Sequence, residues 1–217
     1  EFAALSHARA AEARDSGRFA EEIVPVQIPD AGREPGALSH DEHIRAETTV
    51  ERLRGLRARF RENGTVTAGN SSGINDGAAA VVLAAPRTAT SMGLRPLGRL
   101  LAWAVVGVPP EIMGIGPAPA LREALARAEL GMDEIGVIEV NEAFAAQYLA
   151  VERELGLQRG RVNPNGGAIA LGHPIGASGA RLLLTLLYEL RRRGERYGAA
   201  ALCIGGGQGI AAIVEAA

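Results

Sequence analysis

Cys203 is the single cysteine of this 217-residue chain, and four glycines follow it closely, at Gly205, Gly206, Gly207 and Gly209. A thiol beside a glycine-rich turn can take or give a proton or attack a carbonyl carbon. Free backbone N–H groups in the turn can stabilise a developing oxyanion. A cysteine at the end of a strand is also often an inert small hydrophobic residue. The turn is therefore either a candidate site for carbon-acid or thioester chemistry or a packing position.

His173 lies in a second glycine-rich stretch, which runs from Asn163 to Gly179. Pro174 suits the first turn of a helix, so the sequence predicts a helix beginning near Ile175 with His173 at its positive end. That position disfavours the imidazolium and keeps a neutral ring available as a base or hydrogen-bond donor. The alternative is a turn histidine that merely caps the helix.

Asn141 follows a predicted strand and precedes Glu142 and Phe144, where a helix is predicted to begin. Asn141 suits the N-cap of that helix. It can instead project its amide at the carboxyl edge of the strand, where α/β proteins usually hold their ligands.

Three weaker patterns complete the candidates. The stretch from Thr67 to Gly77 is rich in small residues, as a ligand loop or an ordinary turn would be. His40 and His43, flanked by carboxylates, suggest a metal pair but lack a third ligand, so we expect no metal. Five arginines form either a solvated helix face or a site that attracts phosphates: Arg52, Arg54, Arg57, Arg59 and Arg61.

The elements that must position these residues alternate between short aliphatic strands and helices. Strands are predicted at 100–106, 137–140, 199–204 and 210–214, with an edge strand at 23–28. Helices are predicted at 2–17, 49–60, 118–130, 142–155 and 175–193. This order indicates an α/β fold with a largely buried mixed sheet and helical layers, preceded by about 70 more polar residues.

Composition excludes several classes of protein. A hydrophobic content of 47% allows a core of small aliphatic side chains, and a net charge of −2 argues against broad nucleic-acid binding. A run of roughly 18 apolar residues, as a membrane span needs, is absent from the sequence, as is a signal-peptide pattern. One cysteine forms no internal disulfide. We therefore expect a cytoplasmic protein without nucleic-acid or membrane partners.

Four of these motifs together resemble the thiolase family in order and spacing. They are Asn141-Glu-Ala-Phe144, Gly172-His173-Pro174 after Asn-Gly-Gly-Ala, Cys203-Ile-Gly-Gly-Gly-Gln-Gly209, and Gly69-Asn-Ser-Ser-Gly-Ile-Asn-Asp-Gly77. The resemblance implies a thiolase fold, with a mixed five-stranded sheet in the C-terminal domain. It divides the chain into part of a CoA-binding loop domain (1–73), the tail of an N-terminal domain (74–94) and a complete C-terminal domain (95–217).

The resemblance also implies acyl transfer between CoA thioesters and a role for each matching residue. His173 would activate the acyl-accepting cysteine and donate to the thioester oxygen, and Asn141 would position a water in the same oxyanion site. Cys203, as a thiol of low pKa, would move the α-proton, with the N–H of Gly205 in a second oxyanion hole. The CoA groove and acyl tunnel would be lined by Arg45, Phe60, Ala68, Ser72, Met113, Ala143 and Phe144.

One departure from the family pattern concerns the covalent nucleophile, a second cysteine that thiolases carry in their N-terminal half. This chain holds no second cysteine. We therefore expect it to be inactive alone and to need an N-terminal half from the same gene product or from a partner chain, within a homodimer or homotetramer. CoA would be a substrate rather than a cofactor. The sequence leaves open acetoacetyl-CoA, 3-oxoadipyl-CoA or a longer 3-oxoacyl-CoA as substrate, and a biosynthetic or degradative direction. A non-catalytic CoA- or lipid-binding module is the alternative function.

Overall fold

A computed structural model of the protein describes residues 1–28 and 36–217. The helices are α1 Phe2–Asp15, α2 Val50–Arg54, α3 Pro86–Ser91, α4 Pro117–Ala128, α5 Ala145–Leu155, α6 Ala168–Leu171 and α7 Ser178–Arg193. The strands are β1 Val26–Ile28, β2 Gly36–Leu38, β3 Gly98–Gly107, β4 Ile135–Val140, β5 Tyr197–Ile204 and β6 Gln208–Ala216. Short 3₁₀ turns lie at Ala68–Asn70, Pro110–Ile115, Met132–Glu134 and Arg159–Arg161.

The main sheet is mixed and has the strand order β3-β6-β5-β4. β6 runs antiparallel to both of its neighbours, whereas β5 and β4 are parallel. The predicted α/β class is confirmed. The predicted count of five strands is wrong for the residues that the structure describes, because only these four strands pair in the sheet.

Side chains that alternate along the strands supply a core on each face of the sheet. One face holds Ile138 and Val140 of β4 in a large cluster that also includes Leu121 of α4 and Tyr148 of α5. On the opposite face, α7 covers the sheet: Leu186 and Leu190 pack against Val137, Ala200 and Val214. Alanines at 199–201 let the helices approach the sheet closely on both sides.

The polar N-terminal region contributes α1 and a small hairpin. α1 lies against the loop that holds α6, since Ala10 and Ala11 pack with Ala170 and Ile44. β1 and β2 pair antiparallel as a separate two-stranded sheet. Residues 29–35, which belong to the predicted loop domain, lie outside the described residues.

Three helices are shorter than predicted by three residues or more. α5, expected from Glu142, begins at Ala145. The helix expected over 49–60 ends at Arg54, because Gly55 follows as its C-cap and residues beyond it bridge to another segment, Ala58 to Thr67. The helix expected from Ile175 begins at Ser178, since Pro174–Ala177 form a turn in which the Ala177 N–H donates to the Pro174 carbonyl oxygen at 2.8 Å. Apolar spacing alone did not reveal either tight turn.

The segment at 74–85 is extended and carries apolar side chains into solvent. Ile74 is 98% exposed, Val82 90% and Leu83 79%. It leads into α3 and then into the sheet at β3. These apolar side chains are therefore not buried in a core within the described part of the chain.

Candidate active site

A cavity of about 850 Å³ opens beside the carboxyl ends of β4 and β5. Its lining includes three of the four predicted catalytic residues and six of the seven residues predicted for CoA and acyl binding: His173, Cys203, Gly205, Phe60, Ala68, Ser72, Met113, Ala143 and Phe144. Residues far apart in sequence thus face one space. A concave site with these side chains at a sheet edge is where α/β proteins hold ligands.

The parallel pairing of β4 with β5 explains why Asn141 and Cys203 reach the same edge of the sheet. Val140 lies opposite Ala201 in the register, and the Asn141 backbone N–H donates to the Ala201 carbonyl oxygen at 2.9 Å. Cys203 lies two residues further along β5. Because the strands run the same way, both side chains leave the sheet at its carboxyl end.

Asn141 does not cap a helix. Phe144 is the N-cap of α5, which begins at Ala145, so the capping interpretation of Asn141 is wrong. Instead the Asn141 amide Nδ2 lies 3.3 Å from Nε2 of His173. The alternative interpretation holds for its position: Asn141 presents its side-chain amide at the carboxyl end of β4.

His173 is held by contacts to its backbone and to both ring nitrogens. Its backbone N–H donates to Oδ1 of Asn75 at 3.1 Å. Its Nδ1 lies 2.6 Å from the hydroxyl of Ser178, and its Nε2 faces Asn141. Gly172 precedes it with φ +93°, and a Cβ at Gly172 would collide with the Asn75 side chain. The glycine is therefore needed for the close approach of the two segments.

Burial lowers the pKa of His173 below its usual range, so the neutral ring predominates at neutral pH. We predicted that a position at the start of a helix would lower this pKa. That cause is wrong because α7 begins five residues after His173, at Ser178. The expected direction of the pKa shift holds, but desolvation produces it.

Cys203 reaches the cavity on a backbone turn between β5 and β6. Gly206 and Gly207 have φ of +86° and +93°, which side chains other than glycine rarely adopt. A Cβ at Gly207 would also clash with the Val108 carbonyl oxygen. Gly205, the first residue of this turn, is exposed.

The Cys203 thiol is half-buried, and burial raises its pKa, although a backbone hydrogen bond opposes that shift. We expected a thiol of low pKa, and that expectation is wrong because burial shifts the pKa upward. A raised pKa keeps the proton on sulfur at neutral pH, so the thiol begins as a proton donor.

The loop from Thr67 to Gly77 contacts the Asn141 and His173 segments through its backbone. The Ser72 N–H donates to the Ala143 carbonyl oxygen at 3.0 Å, and Ser71 forms an antiparallel bridge with Phe144. Ile74 forms a parallel bridge with His173. The small-residue loop is therefore a structural link between the Asn141 and His173 segments as well as part of the cavity wall.

Aromatic and cationic side chains stand at one end of the cavity. Phe60 is 75% exposed, and its ring meets Phe144 edge to face at a centroid distance of 5.8 Å. Arg59 also lines the cavity, whereas Arg45 is not part of the lining. Arg59 was expected in a row of arginines on a helix, but α2 ends at Arg54, and Arg59 lies in a bend where its backbone N–H donates to the Val66 carbonyl oxygen.

Sequence analysis gave no role to Glu142, which lies fully buried behind Asn141. Its carboxylate accepts hydrogen bonds from the Ser6 hydroxyl at 2.6 Å, from Asn163 Nδ2 at 2.9 Å and from the Ile169 N–H at 3.3 Å. Burial raises its pKa, and these donors oppose the shift. Glu142 thereby joins α1 and the 163–171 loop to the catalytic edge. Its position directly after Asn141 was the only signal in the sequence.

The histidines of the N-terminal region lie outside the cavity lining. His7 and His43 stack with ring centroids 6.5 Å apart, and burial together with the neighbouring cations lowers the pKa of His7 to about 4. Among residues 1–28 and 36–217, no three His, Cys, Asp or Glu side chains lie close enough to hold a metal ion. None of the helices in these two ranges has the length and apolar content needed to cross a membrane.

Comparisons with known proteins agree with the geometry. The family profile described as "Thiolase, N-terminal domain" matches residues 1–87, and that described as "Thiolase, C-terminal domain" matches 94–216. The 3-oxoadipyl-CoA/3-oxo-5,6-dehydrosuberyl-CoA thiolase of Escherichia coli K12 is 56% identical over 216 residues, which cover 99% of this chain and 54% of that protein. An acetyl-CoA acetyltransferase of Chromobacterium violaceum is 52% identical over 214 residues, with 99% and 55% covered.

Solved structures give the same result. The Bacillus anthracis acetyl-CoA acetyltransferase superposes with a TM-score of 0.97 at 50% identity, covering 100% of this chain and 55% of that one. Human mitochondrial 3-ketoacyl-CoA thiolase in complex with CoA superposes with a TM-score of 0.92 at 43% identity, covering 100% and 53%. The predicted thiolase fold is confirmed. The chain spans about half the length of the relatives that it matches.

Two family profiles account for nearly the whole chain, relatives at 52 to 56% identity align along 99% of it, and the quoted motifs meet at one cavity. This chain therefore belongs to the thiolase family.

Proposed function

We propose that this chain forms the C-terminal part of an acyl-CoA thiolase, which transfers acyl groups between CoA thioesters by Claisen condensation or thiolytic cleavage. The observation that carries the proposal is the meeting of His173, Asn141 and Cys203 at the carboxyl edge of one sheet. The names of the aligned relatives, a 3-oxoadipyl-CoA thiolase and acetyl-CoA acetyltransferases, support the same chemistry.

In this proposal the His173 side of the cavity serves acyl transfer to a nucleophilic cysteine. The free Nε2 lone pair takes the thiol proton of that cysteine, and the resulting Nε2–H then donates to the thioester oxygen. Asn141, whose amide adjoins Nε2, positions a water that donates to the same oxygen. Donors placed where negative charge develops lower the barrier of acyl transfer.

The Cys203 side serves proton transfer at carbon. For condensation, the Cys203 thiol first releases its proton to solvent, and the resulting thiolate removes the α-proton of a bound acetyl thioester. The enolate carbon then attacks the acyl group on the nucleophile, and the C–S bond to the nucleophile breaks as its thiolate leaves and takes back the proton from Nε2 of His173. For cleavage, the thiol returns that proton. The backbone N–H of Gly205, in the glycine turn, donates to the enolate oxygen in the second oxyanion hole. A weakly acidic carbon needs this pairing of a base with nearby donors.

CoA is a substrate here, and the chain requires no cofactor in this proposal. The exposed Phe60 and the loop around Ala68 and Ser72 suit the pantetheine arm of CoA, because they form an apolar wall with backbone polar groups. Met113, Ala143 and Phe144 suit the acyl and pantetheine tunnel. We keep Arg45 as a candidate for the phosphates outside the cavity and add Arg59, whose guanidinium side chain is on the cavity wall.

We further propose that residues outside this chain supply the nucleophile. The division into 1–73, 74–94 and 95–217 places the second of these segments in a domain shared with those residues. Its exposed Val82 and Leu83 support this, since an extended apolar segment can pair with further strands. The missing half belongs to the same gene product or a partner chain, and we expect the complete protein to be a cytoplasmic homodimer or homotetramer.

Thiolysis of acetoacetyl-CoA tests the function. We expect no turnover from the 217-residue chain alone and robust turnover when it is joined to or combined with its N-terminal half. Robust turnover by the chain alone would contradict the division of the active site. Binding of CoA without turnover in the complete assembly would favour the alternative, a non-catalytic CoA- or lipid-binding module.

The same assembly distinguishes the substrate. We place generic acetyl-CoA acyltransferase activity first, because an acetyl-CoA acetyltransferase and a 3-oxoadipyl-CoA thiolase both align along 99% of the chain, at 52% and 56% identity. A comparison of kcat/KM for acetoacetyl-CoA and 3-oxoadipyl-CoA decides between them. A ratio above about a hundred in favour of 3-oxoadipyl-CoA would overturn the generic assignment.

A further inference from the structure

We propose that Ser178 is a positioning residue that sets the tautomer of His173, keeping the proton on Nδ1 and leaving Nε2 unprotonated. This inference deepens the proposed function, on which its catalytic consequence rests. Neither the motif resemblance nor the sequence pattern assigned a role to Ser178.

The hydroxyl of Ser178 is buried between a backbone carbonyl oxygen, which can only accept, and a ring nitrogen, which can accept or donate. The Ser178 side chain is 4% exposed, and Oγ lies 3.0 Å from the Pro174 carbonyl oxygen and 2.6 Å from Nδ1 of His173. A carbonyl oxygen only accepts hydrogen bonds, so the hydroxyl proton points to Pro174. The Ser178 oxygen is then an acceptor, and the matching partner is a protonated Nδ1.

The other ring nitrogen leads to the same tautomer. Nε2 of His173 lies 3.3 Å from Nδ2 of Asn141, which is a donor. A proton on Nε2 would place two donors against each other there. An unprotonated Nε2 accepts from Asn141 instead, so both contacts are satisfied only when Nδ1 carries the proton.

The reverse arrangement fails on both sides of the ring. If Ser178 donated its proton to Nδ1, Nε2–H would face the Asn141 amide protons, and the Ser178 hydroxyl would release Pro174. The hydrogen bond made by one ring nitrogen decides which form the other presents. Ser178 therefore governs whether Nε2 can act as a base.

The backbone keeps Ser178 in place for this purpose. The Ser178 N–H also donates to the Pro174 carbonyl oxygen, at 2.9 Å, at the first residue of α7. The turn between His173 and Ser178 spans only Pro174–Ala177 and is closed by the Ala177 N–H. The spacing of five residues between His173 and Ser178 thus results from one closed turn.

Nitrogen NMR of the complete assembly, labelled with ¹⁵N-histidine, tests the tautomer directly. The chain has four histidines, and comparison with His173→Gln identifies the His173 signals. We expect a pyrrole-type Nδ1 and a pyridine-type Nε2, and a shift toward protonated Nε2 in Ser178→Ala. A wild-type protein with its proton on Nε2, or a Ser178→Ala variant that retains Nδ1–H, overturns the proposal.

Kinetics provide the second measurement. We expect Ser178→Ala to lower kcat on the order of ten- to a hundredfold, as loss of a residue that orients a ligand or base typically does, with KM changed less than about twofold. Ser178→Thr, which keeps the hydroxyl, should recover most of the rate. An unchanged kcat in Ser178→Ala, or equal loss in both variants, contradicts the role.

Thr185→Val is the matched control. Thr185 lies on the same helix and is also buried, but its hydroxyl donates to Glu22 and not to His173. Its loss should leave the His173 tautomer and kcat unchanged. If the wild-type assembly shows no thiolysis, the proposed function fails, while the NMR measurement still decides the tautomer.

Discussion

The two sides of the cavity are built by different means. His173 is held by side chains from three other places in the chain, at Asn75, Asn141 and Ser178. Cys203, by contrast, is placed by a backbone turn whose shape depends on Gly206 and Gly207. An imidazole has two distinct nitrogens and needs partners that orient it, whereas a thiol has one reactive atom that the backbone can place. The difference separates a side that depends on hydrogen bonds from a side that depends on backbone shape.

The largest expected effect comes from removing the reactive group of each side in the complete assembly. His173→Ala and Cys203→Ser should each lower condensation of acetyl-CoA by roughly 10² to 10⁴-fold or more, because each removes a group that moves a proton in the reaction. The assay is the rate of acetoacetyl-CoA formation. His40→Ala, which removes an exposed histidine outside the cavity lining, is the control. Rates near wild type in either variant would overturn the assigned roles.

A half-reaction then separates the two sides more sharply. In the proposed mechanism, acyl exchange between CoA thioesters needs the His173 side alone, whereas exchange of the acetyl α-protons with deuterium needs Cys203. We expect Cys203→Ser to retain acyl exchange and lose deuterium exchange, and His173→Ala to lose acyl exchange. Loss of both exchanges in Cys203→Ser would show that the two sides do not act separately.

A smaller effect is expected from Gly207→Ala, which strains the turn without touching a reactive atom. Alanine at φ +93° and a Cβ against the Val108 carbonyl should reduce the free energy of unfolding by about 1–3 kcal/mol. Thermal or urea unfolding measures this loss. Gly160→Ala is the control, since Gly160 has no positive φ and open space at its Cβ. Equal stability of both variants would show that the Cys203 turn does not require glycine at 207.

The smallest effect concerns pH, and its sign should differ between the two sides. Burial lowers the pKa of His173 in the folded protein below its unfolded value of 6.5. Between these two pKa values the unfolded chain binds a proton on His173 that the folded protein does not bind. This contribution to stability is complete above pH 6.5 and is lost as pH falls through the folded pKa. Burial raises the pKa of Cys203 above 9.0, so its contribution is complete below pH 9 and is lost as pH rises through the folded pKa.

Unfolding of matched variants isolates these two contributions. The stability difference between wild type and His173→Gln should change between pH 7 and pH 5 and stay constant in alkali. The difference between wild type and Cys203→Ala should change only in alkali, above about pH 9. The remaining ionisable groups cancel in each difference. A change of either difference in the opposite pH range would contradict the burial of that group.

Much of the fold followed from local patterns. All four strands of the sheet were predicted within a few residues, because short aliphatic runs between helices describe buried strands well. α4 and the end of α7 followed from apolar spacing. α2 and the start of α7 did not, because each is decided by a hydrogen-bonded turn or a bridge to a distant segment.

The site divides in the same way. His173 and Cys203 were predicted from motifs in which glycines surround a reactive side chain, Asn141 from its place after a strand, and Gly205 from the family resemblance. Asn75, Ser178 and Glu142 were given no role, since nothing local separates them from ordinary turn, helix or strand residues. Arg59 was considered for phosphates, but only as one of five arginines. The direction of the pKa shift of Cys203 was also missed, because burial of a thiol depends on residues that cover it in space.

By itself the sequence determined the family, the alternation of strands and helices, and the reactive side chains, because these depend on residue type and on short spacings. Only the tertiary structure decided which atoms meet. Asn75 and His173 are 98 residues apart, and Asn141 and His173 are 32 apart, yet each pair lies within hydrogen-bond distance. The parallel register of β4 with β5 and the closed turn before α7 set those distances, and neither is written in any local pattern of residues.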